Sequence, residues 1–174
     1  MKFQEISFPE AVKKIAEIGQ IELEKAGIDL QLLNEENVKK GEILHALDLS
    51  AKFYVKVLAN ETDAGSARQY LSGKKILPAT AKKYKLGYSP TQNSLLKHLS
   101  ENSISEETME MSGMIYKKRF NKGSDRDRFM GRLMIPISDI NNNAVAFGAR
   151  VLTNRNSPEN KAKFKQPKYL NSPE

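Results

Sequence analysis

The sequence predicts an α+β fold, helical in its amino-terminal part, with a small antiparallel sheet built on a β-hairpin toward the carboxyl end. Three observations predict it. Apolar residues recur at helical spacing through the first 112 residues. Two apolar runs, 133–137 and 144–152, flank a polar Ser-Asp-Ile-Asn-Asn-Asn turn, the pattern of a hairpin with a loop longer than the tightest type. At 174 residues the chain has length for one full-sized core, given roughly 100–200 residues per domain. It reads as one unit with a helical part over 1–60, short helices over 61–112 and a basic β-rich part over 113–174.

Taken in order, Ser7-Phe8-Pro9-Glu10 has the spacing of a capping box with proline in the first turn. Phe8, Ala11, Val12, Ile15 and Ile18 then form one apolar stripe, a packing face that ends near Gly19 or Gly27. Residues 28–34 read as a connection. A long helix is predicted over 35–58, burying Ile43, Leu44, Leu47, Phe53, Tyr54, Val57 and Leu58, with Gly41 weakening it slightly. Short helices follow over 61–71, 78–86, 92–99 and 105–111, punctuated by Gly73, Gly87, Pro90 and Gly113. Residues 114–116 form a short strand, 117–128 a polar loop into the hairpin, 153–166 a second unpatterned polar stretch, and Pro-Lys-Tyr-Leu-Asn-Ser-Pro-Glu closes the chain with no helix or strand after it.

Charge is spread unevenly. Residues 1–60 carry 8 Lys and Arg against 10 Asp and Glu, residues 61–112 carry 7 against 6, and residues 113–174 carry 13 against 5. The net charge of +7 therefore belongs to the last third, and such asymmetry suits phosphates, since each Lys or Arg contact releases counterions. With no cysteine the chain has no disulfide, thiolate zinc site or cysteine nucleophile. No apolar run reaches the roughly 18 residues of a membrane span, and the start lacks the pattern of an export signal, so a cytoplasmic setting without membrane contact is expected. His45 and His98 lie on different predicted helices without partners, and Asp125, Asp127 and Asp139 form no metal motif. Neither HExxH nor a GxxxxGK phosphate loop is present. The pattern is that of a binding surface, not of a complete active site.

Side chains alternate across a strand, so Phe147, Ala149 and Val151 share one face and Gly148, Arg150 and Leu152 the other. With the first face in the core, Arg150 stands on the open one, and the small residues Ala146, Gly148 and Ala149 let a backbone or a ligand come close. A surface arginine on an ordinary half-buried hairpin gives the same pattern. Arg68, Lys74, Lys75, Lys82, Lys83 and Lys85 interleave with Tyr70, Tyr84 and Tyr88. That arrangement tracks a single nucleic-acid strand, or it is a solvated helix face with its tyrosines in the core.

The succession YL...GKKI...A...Y.LGYSP, SGMIYKK, DRFMGRLMIPISD...AFGARVL and PKYLNSPE resembles the amino-terminal subdomain of the RNA-polymerase core of bacterial replicative DNA primases of the DnaG type. The resemblance covers nearly the whole chain and is most specific over 68–90 and 127–174. It implies a mixed α/β unit lying between a zinc-binding domain and a Toprim domain, neither of them in this chain. On that resemblance the catalytic Mg2+ or Mn2+ belongs to Toprim, Zn2+ belongs to the upstream domain, and this part holds no catalytic or metal-binding residue. The implied partners are single-stranded DNA template, ribonucleoside triphosphates and RNA:DNA hybrid, with the replicative helicase meeting other regions. Carried over by motif, Arg150 matches the arginine of the family's GFGGR stretch. Lys168, Tyr169 and Asn171 match its KYLNSP, and Arg132 matches the basic residue before its FPI strand.

Two departures matter. Where the family has Arg-Gly after its Tyr-Leu pair, this chain has Lys74 and Lys75, and lysine keeps the charge but loses the planar fork. GFGGR reads Ala146-Phe147-Gly148-Ala149-Arg150 here, harmless unless residue 149 needs positive φ. The expected role is to bind template and position nucleotides for an RNA-primer polymerase, the isolated piece being inactive. The alternative is a non-catalytic nucleic-acid-binding or protein-interaction module with a diffuse basic surface.

Overall fold

The computed structural model describes residues 8–23, 29–117, 124–152 and 167–173. The chain divides into two compact units, 1–42 and 43–174, with the boundary falling inside a helix. In the first unit, α1 (Phe8–Gly19) buries only Ala16, while Phe8, Ile15 and Ile18 are exposed. The stripe expected to be a packing face is half-buried at Ala11 and Val12 and exposed at the other three positions, since apolar periodicity identifies the stripe of a helix without naming what covers it. The capping box at Ser7, the alternative end at Gly27, and residue 28 of the expected connection lie outside the described residues.

The second helix, α2 (Leu30–Asn60), begins where a connection was expected. Asp29 explains the early start, because its Oδ1 accepts from the backbone N–H of Gln31 at 2.8 Å and Leu32 at 3.3 Å, an N-cap that satisfies the first free donors. Leu47, Tyr54, Val57 and Leu58 are buried as expected, and Ile43, Leu44 and Phe53 are partly buried. After a single turn of 3-10 helix (Thr62–Ala64) come α3 (Gly65–Gly73), α4 (Pro78–Lys83), α5 (Ser94–Glu101) and α6 (Glu106–Met111). Ser105 caps α6, its Oγ accepting from Thr108 N–H at 3.1 Å.

Six strands are present among the described residues: β1 (Gly87–Ser89), β2 (Ile115–Tyr116), β3 (Arg126–Asp127), β4 (Arg132–Ser138), β5 (Ala144–Val151) and β6 (Tyr169–Asn171). The β4–β5 hairpin stands where the alternation put it. Three strands were not expected: β1 and β6 flank the hairpin, giving an antiparallel sheet in the order β1-β4-β5-β6, and β3, within the stretch expected as a loop, pairs separately with β2. Three-residue strands are too short to display a period of two. Residues 118–123 and 153–166, within the stretches read as polar loops, lie outside the described residues.

Register assigns the two faces. Gly87, Met134, Ala149 and Leu170 lie side by side on one face; Tyr88, Leu133, Arg150 and Tyr169 lie side by side on the other. The first face packs, through Met134, Phe147 and Ala149, with Leu47, Tyr54, Leu95, Leu99, Met109 and Phe129. On the second, Tyr88 and Leu133 pack with Val57, Leu58, Ala67 and Leu71. The sheet is thus covered on both sides near β1, and the second face opens toward β6.

Candidate nucleic-acid interface

On that opening face, side chains from three distant parts of the sequence converge. Arg150 and Tyr169 are register partners on β5 and β6, so their side chains rise from the sheet together, and Arg150 Nη1 donates to the Tyr169 hydroxyl at 3.1 Å. The Arg150 guanidinium carbon lies 4.4 Å from the centre of the Tyr70 ring on α3 and 5.6 Å from that of Tyr169. Lys168 Nζ lies 5.7 Å from the Tyr169 ring, and Lys74 Nζ 6.0 Å from the Tyr70 ring. The result is an alternation of cations and rings, Lys74, Tyr70, Arg150, Tyr169, Lys168. Each cation is within reach of the negative face of a π system, an attraction of about 0.5–2 kcal/mol that grows as water is excluded.

Asn171 completes the surface. It sits opposite Gly148 on the same face as Arg150 and Tyr169, exposed, and a Cβ at Gly148 would stand 3.6 Å from its Oδ1. What comes close over this glycine is the Asn171 side chain, with the Ile135 carbonyl oxygen of β4 at 3.9 Å from the same added Cβ. What keeps so short an edge strand in place follows it directly. Ser172 N–H donates to Phe147 O at 2.9 Å, Ser172 Oγ accepts from Phe147 N–H at 2.9 Å, and Pro173 packs on Gly113, whose φ of +70° and lack of a side chain admit the ring. The terminal motif therefore divides its labour: Lys168, Tyr169 and Asn171 face outward while Leu170, Ser172 and Pro173 hold the strand.

Of the six residues singled out from sequence, Lys74, Arg150, Lys168, Tyr169 and Asn171 come together here. Arg132 does not. It is the first residue of β4 rather than a residue before it, only 3% exposed, and Nη1 donates to Pro167 O at 3.0 Å. It clamps the approach to β6 from within, a position that charge pattern alone could not distinguish from a surface one. Tyr70, for which the sequence offered both a strand-tracking and a core role, is half-buried, packed partly against the core cluster on the second sheet face and lying under Arg150. Only its place among interleaved basic and aromatic residues marked it. Of the others in that stretch, Tyr88 is buried, and Arg68 Nη1 is bound to Leu58 O at 2.8 Å and Glu61 O at 2.9 Å, which makes it a structural arginine. A second basic and aromatic group stands on the small sheet, where Arg126 and Arg128 lie 5.6 and 4.7 Å from the Tyr116 ring.

Among the described residues, the three cations around Tyr70 and Tyr169 are not salt-bridged to any carboxylate, so no described carboxylate neutralises their charge. The buried carboxylate of Asp127 serves another purpose: it accepts from Leu95 N–H and Leu96 N–H, both at 2.9 Å, at the start of α5. Burial raises its pKa above the usual carboxylate range, against the lowering effect of those hydrogen bonds. Among the described residues no three His, Cys, Asp or Glu side chains gather as a metal site. Within this chain the surface can grip anions and stack against flat rings.

Comparison with known proteins bears on this geometry. Residues 53–174 match the family model described as "DNA primase catalytic core, N-terminal domain". A DNA primase of Enterococcus faecalis is 29% identical over 172 residues, covering 97% of this chain and 26% of its own length. The RNA polymerase domain of Mycobacterium tuberculosis primase DnaG, in complex with a double-stranded DNA oligomer with a 6-nucleotide overhang, superposes with a TM-score of 0.64 at 33% identity, covering 77% of this chain and 39% of that one. A DnaG primase catalytic domain bound to single-stranded DNA superposes with a TM-score of 0.66 at 29% identity, covering 79% and 39%. The chain spans about a quarter of the length of the curated relatives it matches.

Proposed function

Because the chain belongs to the family of DNA primase catalytic-core N-terminal domains, we propose that it forms the anion-gripping wall of an RNA-primer polymerase, binding single-stranded template DNA and positioning ribonucleotides. The observation that carries this reading is the alternation of Lys74, Tyr70, Arg150, Tyr169 and Lys168 on one open sheet face. Arg150 and Lys168 neutralise phosphate, the Tyr169 ring stacks against a base or sugar, and Asn171, with both a donor and an acceptor on its amide, hydrogen-bonds the nucleotide. Lys74 adds a further phosphate contact, as a point charge without the fork of arginine. Arg132 acts through the segment it holds. A merely diffuse basic surface needs no such order, and the two rings with their three cations speak against it.

Phosphodiester formation draws on divalent metal, Mg2+ or Mn2+, to stabilise charge on the transferring phosphoryl group. Among the described residues no carboxylates gather to hold that metal, and in this reading it is held by carboxylates of a Toprim domain, with zinc held by a further domain. The chain supplies orientation: it brings the strand and the nucleotide phosphates to rest on fixed cations. RNA:DNA hybrid occupies the same face after the first bond forms, the replicative helicase meets other regions of the whole protein, and the work is done in the cytoplasm. No helix of the described residues is long and apolar enough to cross a membrane.

The test is binding of a fluorescent single-stranded oligonucleotide to the chain, followed by anisotropy across a salt series. Each lost phosphate contact on a single strand flattens the dependence of log K on log salt by about 0.7. Arg150→Ala with Lys168→Ala should therefore flatten it by about 1.4. An unchanged slope and affinity would remove this face from the interface. In the whole primase the same pair should abolish primer synthesis without lowering the melting temperature.

A further inference from the structure

We propose that Tyr70 is a positioning residue for Arg150: its ring fixes the guanidinium in the orientation that meets phosphate, and does so without neutralising it. The inference rests on the nucleic-acid reading of Arg150. An arginine on an open sheet face has four rotatable bonds and loses much of its freedom when it grips a ligand. A carboxylate partner would hold it but cancel the charge the ligand needs. A tyrosine ring attracts the cation through its quadrupole and carries no net charge to oppose a phosphate.

The geometry matches that requirement. The guanidinium carbon is 4.4 Å from the Tyr70 ring centre, closer than the 5.6 Å to Tyr169, and Nη1 is fixed by the Tyr169 hydroxyl at 3.1 Å. Nε is covered and has no hydrogen-bond partner. This cost is tolerable where the guanidinium lies against the negative face of a ring. Tyr70 is itself held still: its neighbours Ala67 and Leu71 on α3 are buried, and Arg68 ties the helix to the end of α2 through Leu58 O and Glu61 O. The platform is thus built into the helix packing, and the cation lies on it before any ligand arrives.

Two measurements on the full 174-residue chain decide the matter. In the oligonucleotide titration, Tyr70→Leu should weaken binding about three- to tenfold, the range of a cation–π contact. In an Arg150→Ala background it should add nothing, and Tyr70→Phe, which keeps the ring, should bind like the parent. By NMR, ring current should shift the Arg150 side-chain Hε and Hδ signals in the free chain, with the shift lost in Tyr70→Leu and kept in Tyr70→Phe. Unshifted Arg150 signals in the parent chain overturn the proposal, even if Tyr70→Leu fails to fold. So does a Tyr70→Leu variant that binds like the parent, or whose loss adds in full to that of Arg150→Ala. Should Arg150→Ala bind as well as the parent while the shift is present, the nucleic-acid reading fails and the platform geometry stands.

Discussion

At Gly87 the chain has no room for a side chain. An added Cβ would overlap Tyr54 Cβ and lie 2.7 Å from the Tyr54 backbone carbonyl carbon, so β1 could not reach α2. Gly87→Ala should lose about 3 kcal/mol or more, the upper range for overpacking, because backbone as well as side chain must yield; urea unfolding of the variant measures it, and a loss below about 1 kcal/mol would mean the strand can shift away at little cost. From sequence this glycine reads as a turn, since a pattern of residue types does not reveal which backbone another helix will touch. Arg150 was legible because alternation alone decides its face. Arg132 was not, because its burial depends on Pro167, 35 residues further on. Ala149 has an ordinary strand conformation rather than positive φ, so the departure from the family's second glycine has no backbone cost.

Helix ends were the least legible elements, and one local motif accounts for that. Each of α1, α3, α4, α5 and α6 ends with a residue at positive φ followed by an apolar residue whose N–H donates five positions back: Ile21 to Ala16, Ile76 to Leu71, Leu86 to Ala81, Ile104 to Leu99, Met114 to Met109. This is a Schellman cap, and glycine is its usual left-handed residue. Here Gln20, Lys75, Lys85 and Ser103 occupy that position, and only Gly113 conforms. Looking for glycine therefore carried α4 on to 86, before Gly87, though it stops at Lys83, while the ends expected at Gly19 and at 111 stand where the structure has them; the apolar residue after each cap was a signal present throughout. The Lys75 departure from the family's Arg-Gly carries the same strain. Ser103→Gly, at an exposed site, should stabilise the chain by about 0.5–1 kcal/mol, seen as a higher urea midpoint at unchanged slope. At the other end of α5 the cap is Asp127, with its pKa raised by burial. A raised folded pKa means that stability linked to this group is complete below the unfolded value of 3.8 and is lost as pH rises through the folded value. Asp127→Asn cannot titrate, so the stability advantage of the parent over this variant should shrink as pH rises across that window. An advantage that grows with pH would show that the N–H bonds from Leu95 and Leu96 outweigh burial.

At the scale of the molecule, the basic last third becomes an interface only because long-range packing gathers it. Residues 70, 150 and 169 are brought together by α3 lying over one sheet face and by β6 joining the sheet edge, neither of which the sequence displays; it displays the hairpin they are gathered onto and the charge they carry. The coupling of fold to site consequently runs through three residues of edge strand, and one of its fastenings is the half-buried Ser172. That side chain satisfies Phe147 N–H while its own N–H bonds Phe147 O, standing in for a continued strand pair. Without the hydroxyl, Phe147 N–H loses its partner at the margin of the core, a cost of about 1–3 kcal/mol that falls on the closing of β6. The rest of the sheet, held by the β4–β5 and β1–β4 pairs and packed on its first face against the core, does not depend on it. Ser172→Ala should therefore leave the global urea transition little changed but speed hydrogen exchange at Val151 and Ser172, whose N–H groups bond Lys168 O and Phe147 O at the two ends of β6. Oligonucleotide affinity should fall by about the fraction of molecules in which the strand is open. Faster exchange with undiminished affinity would mean that Lys168, Tyr169 and Asn171 act without being held to the sheet; the interface would then belong to Arg150 and α3 alone.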